Sequence, residues 1–382
     1  MKHDEISIEK AIINFGFKAR SSYYLFAEQL REQGFIGLFD LRPVDRKISI
    51  QPELPSGNFI NSYNDYNLHR PLQAIWKEPN RHNRPWNNAF YGLQRKNHQV
   101  FIQIVQAFVE GNGIRGISRI FDIDKNTVLK YLQKAAYQSR YVTNQFVNNL
   151  HIEELQLDEM WSFVFKKEKN LTEDEYMSCL EGDQWCWGAK DARTKVIVQY
   201  EIGKRTYQLA NDLIKNFKKR TDGIPPALVT SDGYKGYRIA LLKHYGFSGK
   251  GGQNIPPSEM DYVVVEKTRK KGRVVDIKVK VIFGNIERIK NKIERSPVSK
   301  NVNIAFIERS HLSRRQFNRR LSRKTLGFSK KLENHLWHYE LETCVHNFVR
   351  PHRGLNYKTP MMAAGKTDYV WSIKELLSYT AE

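Results

Sequence analysis

Three carboxylates have settings that suit phosphoryl chemistry. Asp158 lies inside LQLDEMWSFVF (Leu155 to Phe165), Asp232 closes the apolar run of ALVTSDGYKGY, and Glu308 sits in NVNIAFIERSHLSRRQFNRRLSRKTLGFS. In that last stretch almost every other charge is positive, and Glu308 and Arg315 are seven residues apart, on nearly the same face of a helix. A lone acid there fits a carboxylate that holds a divalent metal while Arg309, Arg315, Arg319, Arg320, Arg323 and Lys324 hold phosphates. Taken alone, the stretch reads equally well as a solvated cationic helix with one ion pair. Three carboxylates at one point repel unless cations neutralise them, so the expected occupants are two Mg²⁺ ions, with Mn²⁺ able to substitute. Two metals about 4 Å apart activate a water or a 3′ hydroxyl and stabilise the leaving oxygen at phosphorus.

Other candidates rank lower. Glu159 follows Asp158 in a strand, points to the opposite face and reads as structural. Asp191 reads as a turn residue and Trp185 and Trp187 as core. Glu287 and Glu294 are weaker choices for a third ligand, and His311 reads as a helix-surface residue.

The elements that must position the acids follow from periodicity. LQLDEMWSFVF alternates as a strand, WCWGAKDARTKVIVQYEIG gives two strands around a turn, and a helix runs from about Thr206 to Lys219. The next strand ends at Asp232. Three strands, a helix and a strand with a terminal aspartate is the element order of the ribonuclease H fold, an α/β mixed sheet flanked by helices. VVVEKTRKKGRVVDIKVKVIF reads as a basic two-stranded ribbon turning near Lys271-Gly272. Upstream, QVFIQIVQAFVEGNGIRGISRIFDIDKNTVLKYLQKA contains a first helix, a short second one, and a third capped by Asp124. The last two helices form a helix-turn-helix, with Lys125, Asn126, Thr127, Lys130 and Tyr131 facing outward and free to enter a major groove. The expected domains are therefore 1–97, of uncertain fold, with helices over Ser7 to Phe35 and a basic, aromatic stretch from Arg70 to Trp86; 98–140, helix-turn-helix; 150–365, catalytic, with a basic insertion at about 243–302; and a tail, 366–382.

Charge points to the same partner. Lys and Arg outnumber Asp and Glu by 62 to 41 over 382 residues, a net charge of +21. From Tyr262 to Lys331, 21 basic residues face 5 acidic ones. A polyanion is the expected ligand. The absence of a long apolar run and the three unpaired-looking cysteines lead us to expect a cytoplasmic, nucleoid-associated protein without a membrane partner.

Several segments resemble the DDE transposases of bacterial insertion sequences, most closely the insertion-sequence-one group. They are "LDEMWSFV", "WCWGAKDARTKVIV", "GKRT", "TSDGYKGY", "FIERSHLSRRQFNRRLSRKTLGFSKKLENH" and "NFVRPHRGLNYKTP". "GISRIFDIDKNTVLKYL" is similar to the helix-turn-helix family, with Asp122 where many members have glycine. The resemblance implies Asp158, Asp232 and Glu308 as the metal-binding catalytic triad and Arg315 as a DNA contact near the cut. It implies double-stranded DNA, both element ends and target, as the partner, and a homo-oligomer on that DNA. Two features depart from the group: no cysteine precedes Cys179, and 75 residues separate Asp232 from Glu308. The alternatives are a catalytically inactive helix-turn-helix regulator and a ribonuclease H-like nuclease without strand transfer.

Overall fold

The computed structural model describes residues 88–178, 180–249, 254–270 and 273–380. The helices expected over Ser7 to Phe35, the stretch from Arg70 to Trp86 and the turn at Lys271-Gly272 lie outside the described residues. The chain divides into two compact units. Of the first, residues 166–178 and 180–182 are described; they hold the short helix Glu173–Met177, where Glu175 accepts from Lys166 at 2.6 Å and from the Thr172 amide at 2.8 Å. The second, from residue 88 to Phe165 and from Asp183 onward, carries the candidate site.

Its centre is a six-stranded mixed sheet flanked by helices. The strands are β1 (Glu154–Val164), β2 (Gly182–Asp191), β3 (Ile197–Gly203), β4 (Leu228–Ser231), β5 (Asp261–Lys270) and β6 (Arg273–Phe283), in the order β3-β2-β1-β4-β5-β6. Strands β1, β4 and β5 run parallel, with Leu157 opposite Ser231 and Ser231 opposite Val264. β3 is antiparallel to β2, and β6 to β5. As a central strand β1 is covered on both faces, which is why Leu155, Gln156 and Leu157 are all fully buried.

The helices preceding the sheet are α1 (His98–Val109), α2 (Ile114–Phe121) and α3 (Lys125–Phe146). Asp122, between α2 and α3, adopts φ +50°, a left-handed conformation that glycine tolerates best, and Asp124 caps α3 by accepting from the Asn126 amide at 2.8 Å. Tyr131 packs on Phe101 and is buried, where the sequence suggested an outward position. Longer helices after β3 are α4 (Tyr207–Arg220), α5 (Lys235–Tyr245), α6 (Ile286–Glu294), α7 (Ala305–Phe317) and α8 (Leu332–Phe348), and the six-residue α9 (Ile373–Ser378) follows near the end of the described chain. Helices α4 and α5 share a core with Leu155, Leu157, Val229 and Val264, while Val265 packs with Ile304 and Ile307 around α7 on the other face. Phe101 and Phe108 of α1, Leu132 of α3 and Val345 and Phe348 of α8 belong to the same core as the sheet. No helix among the described residues is long and apolar enough to cross a membrane.

Candidate metal and phosphate site

Asp232 owes its position to Gly233. That glycine has φ +98°, and a Cβ there would stand 2.8 Å from Val264 Cγ1, so only glycine lets β4 turn immediately after Asp232. The Gly233 amide donates to Ser231 Oγ at 3.2 Å and the Tyr234 amide to Asp232 Oδ1 at 3.4 Å. On the neighbouring strand, the Asp158 carboxylate folds back along β1 to accept from the Glu159 amide at 2.9 Å. Carboxylate oxygens of Asp158, Glu159 and Asp232 consequently lie within 4.8 Å of one another.

Strand alternation alone had assigned Glu159 a structural role on the far face. The structure corrects that reading, because Asp158 does not stand straight out from the pleat. Burial and the Asp232 charge push the Glu159 carboxyl up to about 8, against the opposing pull of Arg205 3.7 Å away. Glu159 Oε1 is buried without a hydrogen-bond partner among the described residues. Asp232 is raised as well, by loss of water and by the Asp158 charge. Crowded carboxyls with an orphaned buried oxygen form an all-oxygen donor set, which fits Mg²⁺ or Mn²⁺.

Glu308 does not join that set. It lies in the first turn of α7, where Lys267 of β5 holds its carboxylate in an ion pair. One turn on, His311 is buried with Nδ1 3.3 Å from Asp158 Oδ2, so it is part of the site rather than a surface histidine. α7 is fixed to the sheet by a residue that sequence reasoning passed over. Gln156 Oε1 accepts from the Phe306 and Ile307 amides, both at 3.0 Å, and Gln156 Nε2 donates to Asn303 O at 2.9 Å. A polar side chain set between Leu155 and Leu157, in a strand that a two-faced core would cover, was the available signal, and Gln156 is fully buried there. Gly188 of β2 lets the helix come close, since a Cβ there would meet Ile307 Cδ1 at 3.2 Å.

Two further cations were missed. Lys190 of β2 is buried and donates to Ser310 Oγ of α7 at 2.5 Å; burial, then Arg314, lowers its pKa to about 7. Arg314 is buried in an ion pair with Glu342 and lies over the Tyr339 ring.

The expected phosphate contacts divide. Arg309, Arg319, Arg323 and Lys324 are exposed. Arg315 is half-buried, its Nε has no hydrogen-bond partner among the described residues, and both burial and Arg323 lower its pKa. Arg320 is a correction. It is turned inward, 8% exposed, with Nη1 3.3 Å from Ser329 Oγ and its pKa lowered by burial to about 10, so it has no route to a phosphate. At the start of α3, Lys125, Asn126 and Lys130 are exposed and Thr127 is half-buried.

No protein-family model matches this chain, and a search of the curated proteins finds no match.

Proposed function

We propose that the chain is a DNA transposase of the DDE type. Its catalytic domain is read as ribonuclease H-like and the α2–α3 pair as the helix-turn-helix that recognises terminal inverted repeats. The observation that carries the reading is the Asp158, Glu159 and Asp232 cluster, with Glu159 and Asp232 raised and Glu159 incompletely paired, beside α7 and the segment after it, whose exposed charges Arg309, Arg319, Arg323 and Lys324 are basic. The six-stranded sheet supports it by running β1 and β4 side by side, so that the acid within one and the acid after the other face a common point.

Asp158, Asp232 and Glu159 would hold the first divalent ion, and Glu308 the second once Lys267 exchanges it for a DNA phosphate. Bound there, Mg²⁺ supplies Lewis-acid activation of an attacking oxygen and neutralises charge at phosphorus. The chain's own groups do the rest. His311 orients Asp158, Gln156 and Lys190 keep α7 in register with β1 and β2, and Arg315 with Arg323 aligns the scissile phosphate.

The test is incubation of the full chain with labelled DNA carrying an element end and Mg²⁺ or Mn²⁺, beside Asp158→Ala. Joined 3′ products from the wild type alone support the proposal. Cleavage without joining favours a nuclease, and salt-sensitive binding without cleavage under either metal favours a regulator.

A further inference from the structure

Strand β6 is the edge of the sheet, and its first eight residues, Arg273 to Lys280, are all exposed. Val274, Val275, Ile277 and Val279 are between 41% and 55% exposed. Among the described residues no backbone hydrogen bond leaves its outer edge. A long edge rich in β-branched residues is a template for another strand. We propose that this edge pairs with the same edge of a second copy of the chain, antiparallel, about a two-fold axis at Ile277.

The charge pattern selects both the partner and the register. With Ile277 opposite its own counterpart, Asp276 falls opposite Lys278 of the other copy, and Lys278 opposite its Asp276. Val279 then meets Val275 on the face that carries Ile277. That is the face of Lys267 and Val265, whose ladder partners are Ile277 and Val279; Asp276 and Lys278 lie on the other, opposite Thr268 and Glu266. Opposite charges and β-branched residues directly across an antiparallel pair both stabilise it. Moving the axis to Lys278 sets Lys278 against itself, and moving it to Asp276 sets Asp276 against itself, so neighbouring registers are penalised. The bulge between Thr268 and Arg269, which leaves Val275 without a ladder partner on β5, ends the regular stretch on the tip side. Because both copies are strongly basic, association strengthens as salt screens them.

The edge does not depend on the chain's acting on DNA, and its test needs none. Sedimentation of the full chain at high salt should give a two-chain species. Asp276→Lys should return it to one chain, and Asp276→Lys with Lys278→Asp should restore two. In a Cys179→Ser background, Ile277→Cys should form an interchain disulfide under mild oxidant, while Phe247→Cys, at a 64% exposed position away from the edge, should not. A chain that stays single at all salt concentrations, a dimer indifferent to Asp276→Lys, or equal cross-linking at 277 and 247 would overturn the proposal. Occupation of the edge by another segment of the same chain would give the first of these results.

Discussion

Glu159 holds its proton in the folded chain up to about pH 8, because burial and the Asp232 charge both disfavour its carboxylate. An unfolded glutamate ionises near 4.5, so between there and about 8 the folded state binds the extra proton. Stability contributed by this group is therefore full below the unfolded value and is lost as pH rises through the folded one. Glu159→Gln should flatten that decline, making the variant the more stable form at pH 8, as read by urea unfolding at pH 5, 6.5 and 8. Parallel curves for variant and wild type would contradict the assignment. Lys190 works in the opposite sense. Its folded pKa of about 7 lies below the unfolded value, so the wild type gains stability as pH rises from 7 toward 10.5. Lys190→Met should abolish that gain and be stabilising below pH 7, by thermal unfolding.

At the scale of elements, α7 is the part whose placement decides the site. Gln156→Leu would leave the Phe306 and Ile307 amides without their acceptor, a loss of about 1–3 kcal/mol by urea unfolding. Under the proposed function, DNA cleavage should fall further than the stability loss explains, since α7 carries both Glu308 and His311. Arg314→Met would strand Glu342 with its side chain 3% exposed, costing about 3–5 kcal/mol in the same measurement. Periodicity made much of this architecture legible. It gave the β2–β3 pair, the helix capped by Thr206, the strand ending at Asp232 and the basic ribbon, because each shows its own burial pattern along the chain. It did not give the partners of Gln156, Lys190 or Arg314, since those lie 120 residues or more away, or on a separate helix, and nothing local marks them. The full length of α3 was hidden for a similar reason. Its last turn is held by Phe146 against Phe348, Trp371 and Tyr379, a cluster assembled from the far end of the chain. Glu159 was misread because alternation fixes where a Cβ points, and not where a carboxylate folds back to.

Over the whole molecule, basic charge is concentrated on the segment that carries Glu308, and under the proposed function this sets how affinity for DNA should respond to salt. If Arg309, Arg319 and Arg323 each neutralise one phosphate, replacing any one by alanine should lower the slope of log affinity against log salt by about 1. Arg320→Ala should instead lower unfolding stability and leave the slope unchanged, because that side chain is inside. Fluorescence anisotropy at several salt concentrations separates the two outcomes. The most direct measurement is calorimetric titration of Mn²⁺ into the full chain at pH 7, repeated in two buffers of different ionisation heat. Saturable binding accompanied by proton release is predicted, with binding lost in Asp232→Asn and the proton release lost in Glu159→Gln. Absence of binding, or equal binding by Asp232→Asn, would contradict a metal site built on these carboxylates.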